Sequence, residues 1–105
     1  MLEISELKRR LDAKESMLLL DVRSEAEFIG DLGHIPGAVN IPIDQLANRV
    51  GELQNYTTTA IILICRTDRR SAMAEQVLRP QGFAQLEVVK GGMIDWNKRG
   101  YSVER

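Results

Sequence analysis

Residues 60–64 read Ala-Ile-Ile-Leu-Ile, an unbroken apolar run that is rich in β-branched side chains and too short for a helix. Such a run belongs to a buried strand. It leads directly into Cys65-Arg66-Thr67-Asp68-Arg69-Arg70-Ser71, which is polar and basic. A helical pattern follows, predicted over 70–79, with Met73, Val77 and Leu78 spaced for one face and Ala72 and Ala74 keeping propensity high. The chain therefore passes from strand to helix through a tight loop. A loop of that kind turns successive backbone N–H groups into one concavity, and the helix adds positive potential at its N-terminus.

Cys65 is the only cysteine and stands at the base of this concavity. A lone cysteine after an apolar run is often a small core hydrophobe. The basic flank argues for more. Arg66, Arg69 and Arg70 bring three positive charges and Asp68 takes one back, so the loop stays net positive. Positive groups and a helix N-terminus favour thiolate over thiol. A nucleophilic thiolate facing an anionic substrate is the natural chemistry.

The rest of the chain alternates in the same way. A helix is predicted over 5–14, with Ser5 as its cap and Leu7 and Leu11 one turn apart. Met17–Val22 reads as a second buried strand, ending at Arg23. Ser24 with Glu27 fits a capping box and predicts a short helix through Phe28 and Ile29. Gly33-His34-Ile35-Pro36-Gly37-Ala38 is a loop, in which His34 is read as bonding backbone groups. A short strand at 39–41 stops at Pro42, and a helix is expected over 44–52 with Leu46 and Val50 inward. Leu86–Val89 is a further strand. Gly91-Gly92 breaks the chain before a last helix that carries Met93 and Trp96 inward. Nothing in Tyr101–Arg105 decides its state.

Strands alternating with helices predict an α/β fold with a mostly parallel sheet and helices on both faces. In such sheets ligands sit at the carboxyl ends of strands, where Cys65, Asp21 and Arg23 all fall. The 105 residues suit one domain over 1–105. A net charge of −1 gives no overall attraction to nucleic acid or membrane. One cysteine excludes an internal disulfide framework and a multi-cysteine metal site, and no metal or cofactor is expected. No run approaches transmembrane length, and a reducing cytoplasmic setting that keeps the thiol free is the default.

The ordered set of motifs resembles the single-domain rhodanese, or sulfurtransferase, family over nearly the whole length. It comprises Leu20-Asp21-Val22-Arg23 with Glu25 and Phe28, then Gly33–Ala38 with Asn40-Ile41-Pro42, and Cys65-Arg66 through Arg70-Ser71. Gly82-Phe83 and Gly91-Gly92-Met93 with Trp96 complete it. The resemblance implies a three-layer fold around a central, mostly parallel five-stranded sheet. It implies that Cys65 takes the sulfane sulfur of an anionic donor such as thiosulfate as a persulfide. Cyanide, a thiol, or a sulfur-accepting protein then removes it. Carried over, Arg66, Thr67, Asp68, Arg69 and Arg70 form the anion cradle, and Ser71 caps the helix and donates a hydrogen bond. Asp21 and Arg23 are expected to be structural, the carboxylate bracing loop backbone and the guanidinium binding an acid such as Glu27. Many members have glycine where this chain has Asp68, a residue that tolerates left-handed backbone.

Two other readings follow from the same loop. A cysteine phosphatase is disfavoured, because the spacing from Cys65 to Arg70 is one residue shorter than the phosphatase pattern and makes a smaller ring of N–H groups. A persulfide relay or a non-catalytic regulatory module for a partner protein is the alternative. The module usually lacks the nucleophile, whereas the relay needs the same loop as the free enzyme.

Overall fold

The computed structural model describes residues 1–105. The strands are β1 (Leu18–Asp21), β2 (Val39–Asn40), β3 (Ile61–Ile64) and β4 (Leu86–Val88). The α-helices are α1 (Ile4–Asp12), α2 (Glu25–Phe28), α3 (Ile43–Arg49), α4 (Arg69–Leu78) and α5 (Gly92–Lys98). All strand pairs are parallel, in the order β2-β1-β3-β4.

The two central strands are buried at every position, which is why they read as continuous apolar runs. Their side chains alternate between two cores. Leu18, Leu20, Val22, Ile61, Leu63 and Cys65 pack with Leu46 of α3 and with Ala74 and Leu78 of α4. Leu19, Ile62 and Ile64 pack on the other face with Ile4 and Leu7 of α1 and Met93 and Trp96 of α5. The result is a sheet between two helical layers. No helix is long and apolar enough to cross a membrane.

The sheet has four strands, not five. Before α1, where a fifth strand would lie, the chain makes a single parallel bridge, Leu2 to Val89. Leu2 donates to Val88 O and accepts from Lys90 N, each at 2.8 Å. The cap of α1 is Glu3, not Ser5, and it makes no side-chain cap bond. The Ser24–Glu27 capping box is present in full. The helix expected over 44–52 ends at Arg49, and a 3-10 stretch continues through Tyr56.

Met73 does not join the core face of α4. It is 50% exposed, while Ser71, Ala74 and Leu78 are the buried positions. The i, i+4 pair of Ala74 and Leu78 sets the face, with Val77 at its margin. The tail is also ordered by contacts that its composition does not advertise. His34 and Glu104 exchange two backbone bonds of 2.7 and 2.8 Å, and Trp96 Nε1 donates to Ser102 O at 3.0 Å.

Candidate active site

Cys65 is the residue immediately after β3. It is 1% exposed and unpaired with any other cysteine. Its carbonyl accepts from Met93 N at 2.9 Å, and that of Arg66 from Ile94 N at 3.0 Å. The first turn of α5 thus grips the outgoing chain from behind. Close approach demands Gly92. A Cβ there would lie 2.3 Å from Cys65 O and 2.4 Å from Thr67 O, and its φ of +49° disfavours any L side chain. From the sequence Gly91-Gly92 reads as a break in the chain before the last helix, which does not disclose this support. Two glycines directly before a helix were the available signal.

The carbonyls of Cys65 and Arg66 are thus bonded, whereas the loop amides are not. None of the six consecutive backbone N–H groups from Arg66 to Ser71 donates to a protein acceptor. A helix alone leaves about four such donors at its start, so the loop has lengthened the set. Asp68 occupies the N-cap of α4 with φ −146°, and its side chain makes no cap bond to compete for these amides. The φ is negative, so the loop closes without the left-handed residue expected at this position. Lys14 is the one non-glycine residue with positive φ.

Ser71 does not cap the helix. It lies in the first turn of α4, fully buried, and its Oγ is the one buried side-chain polar atom without a hydrogen-bond partner. Arg66, Thr67 and Arg69 are exposed, and neither of these two arginines makes an ion pair. Arg70 is engaged. Its guanidinium grips Glu27 through both carboxylate oxygens, at 2.6 and 2.9 Å. Glu27 also accepts from Ser24 N at 3.2 Å. The Arg70 bonds, above all, and the Ser24 bonds hold the Glu27 carboxyl down at about 2, against the opposing effect of its partial burial. The same pairing raises Arg70 further above its ordinary value.

Asp21, the last residue of β1, and Arg23, two residues beyond it, are both buried. The expected Arg23–Glu27 ion pair is not made. Glu27's carboxylate is taken by Arg70, and Arg23 instead forks onto Asp21, with NH2 to Oδ2 at 2.8 Å and Nε to Oδ1 at 3.0 Å. Its remaining donors reach the carbonyls of Gly33 at 2.7 Å and Glu27 at 3.2 Å. Asp21 also accepts the backbone N–H of Arg23 at 3.1 Å. A buried ion pair with its donors filled in this way is a structural clamp. Asn40 fastens β2 to the same place, donating to Asp21 O and Arg23 O at 3.0 and 2.8 Å. His34 is structural too. Its Nδ1 lies 2.8 Å from Phe28 O and its ring stacks on Phe28 at 3.7 Å between centroids.

The model of the rhodanese-like domain matches residues 3–99. This chain belongs to the rhodanese-like family. Among its curated relatives is the putative sulfur carrier protein YrkF of Bacillus subtilis, 37% identical over 90% of this chain and 49% of that protein. A sulfurtransferase of Allochromatium vinosum is 31% identical over 92% of this chain and 87% of that protein. The crystal structure of a rhodanese-related protein from Thermoplasma volcanium is 30% identical, with a TM-score of 0.82 over 96% of this chain and 93% of that one. The chain spans roughly half the length of the first curated relatives it matches, 49%, 59% and 42% of three of them. Within the rhodanese-like domain, then, the loop after β3 carries the free cysteine and the unpaired amides.

Proposed function

We propose that this rhodanese-like chain is a sulfurtransferase that carries a sulfane sulfur on Cys65. The observation that carries the reading is the run of unpaired amides from Arg66 to Ser71, wrapped around the end of a strand that delivers a free thiol. Fixed N–H dipoles of this kind stabilise an anion without reorganising. They suit a persulfide, whose outer sulfur is anionic near neutral pH. The cradle is too short for the phosphatase pattern, and sulfite is a stable leaving group, so no general acid is needed.

The chemistry balances with the groups at hand. The Cys65 thiolate attacks the outer sulfur of thiosulfate. The S–S bond of the donor breaks, and its electron pair leaves with sulfite. The new Cys65 persulfide anion rests under the amides, and Arg66 and Arg69 offer planar guanidinium forks to the donor oxygens. Cyanide or a thiolate then attacks the outer sulfur and returns the electron pair to Cys65. In the cytoplasm the acceptor is a thiol or a sulfur-accepting protein. The name of the Bacillus relative favours this relay as a second reading, in which sulfur passes to a partner protein.

Intact mass after incubation with thiosulfate tests the proposal. The wild type is expected to gain one sulfur atom, to lose it with cyanide, and to gain none as Cys65→Ala. Sulfur retained on Cys65→Ala would overturn the assignment. No gain from thiosulfate, 3-mercaptopyruvate or a thiol persulfide would leave the cradle as a binding loop only.

A further inference from the structure

A small cavity opens beside the cradle, about 130 Å³ in volume, lined by Arg23, Glu27, Asp31, Leu32 and Arg66. Four of these residues are charged, but their availability differs. Arg23 is spent on Asp21 and two carbonyls. The carboxylate of Glu27 is spent on Arg70 and Ser24. That leaves one cation and one anion. Arg66 and Asp31 are both exposed, and neither makes an ion pair, although the Asp31 carbonyl accepts from Arg105 at 2.6 Å. An anion-only site would have no use for Asp31. The volume is that of roughly four waters at about 30 Å³ each, well below a drug-sized pocket.

From this juxtaposition we infer that the cavity selects the sulfur acceptor, and that the acceptor is a small zwitterionic α-aminothiol. Its carboxylate sits on the Arg66 guanidinium, its ammonium on the Asp31 carboxylate, and its sulfur turns toward the loop. The inference rests on the persulfide reading above and adds to it a substrate class. In the transfer step the acceptor thiol first gives its proton to solvent. Its thiolate then forms a bond to the outer sulfur, and the bond from that sulfur to Cys65 Sγ breaks with its electron pair returning to Cys65. The aminothiol leaves as its own persulfide. Arg66 thus serves donor and acceptor in turn, whereas Asp31 serves the acceptor alone.

The test loads wild type, Asp31→Asn and Arg66→Gln with a thiol persulfide, checks the load by intact mass, removes the donor and follows discharge. Cysteine, N-acetylcysteine and cysteamine are compared at equal thiolate concentration. Cysteine is expected to discharge wild type about threefold faster than either analogue, since each analogue lacks one of the two exposed charge contacts and one such contact is worth about that much. Asp31→Asn, once its load is confirmed, should lose the advantage over N-acetylcysteine and keep that over cysteamine. Arg66→Gln should do the reverse. Rates that follow thiolate concentration alone would overturn the inference. A wild type that does not load would remove the persulfide reading, and a titration with serine then judges the cavity by itself. Amide shifts at Arg66 and Asp31 with serine, but with neither N-acetylserine nor ethanolamine, would uphold a zwitterion site. Their absence would discard it.

Discussion

Two single residues hold the cradle in shape, and each makes a different prediction. Gly92→Ala places a methyl group against backbone oxygens that have nowhere to go, at a φ that alanine resists. The expected loss is about 2–4 kcal/mol of stability, read from the urea midpoint, with the loop amides disturbed first. Glu27 is a pH-dependent support. Its carboxyl titrates near 2 in the fold against 4.5 for the ordinary group, so its contribution is complete above pH 4.5 and is lost as pH falls through 2. Because its side chain is 34% exposed, solvent screening reduces the expected contribution to about 1–2 kcal/mol. Wild type should therefore be more stable than Glu27→Gln at pH 6 and lose most of that margin by pH 2, in paired urea titrations. The place of Cys65, between β3 and the loop into α4, was legible from residue types, because an apolar β-branched run gives way there to a polar, basic stretch. The true partner of Arg70 was not. Glu27 lies 43 positions away, and both Arg23 and Arg70 were chemically suitable for it.

At the scale of elements, β1, β3 and α5 were readable from apolar pattern, and the capping box located α2. The pattern on α4 was misleading at Met73, because three apolar residues satisfied a helical stripe while the small residues Ser71 and Ala74 made the close contact. Leu78→Ala is expected to cost about 2–5 kcal/mol and Met73→Gln less than about 0.5 kcal/mol, by thermal or urea unfolding. Equal losses would place Met73 in the core after all. The turn at Asp68 was legible as a loop but not in its backbone angles, since the bonds from α5 to the carbonyls of Cys65 and Arg66 come from residues more than twenty positions away.

Across the whole molecule, the tail closes a chain of contacts that starts far from the thiol. Glu104 bridges His34, Gly33 O accepts from Arg23, and Arg23 clamps Asp21 at the end of β1. A Cβ at Gly33 would lie 2.6 Å from Glu104 O, so the two segments pack without a gap. The five tail residues carried no periodicity and no turn signal, and their order comes entirely from partners elsewhere in the chain. Removing residues 101–105 is expected to raise hydrogen exchange at His34 and expose Trp96, seen as a red-shifted fluorescence. Unchanged exchange would mean that the loop holds itself.

The grip of Met93 and Ile94 on the carbonyls of Cys65 and Arg66 also has a meaning in time. Cys65 leaves the ribosome before its support does. A nascent chain that has emerged only as far as Lys90 has the thiol and the arginines but not the two amides that hold the carbonyls of Cys65 and Arg66. On the proposed chemistry, loading with sulfur waits until α5 has emerged and docked behind the loop.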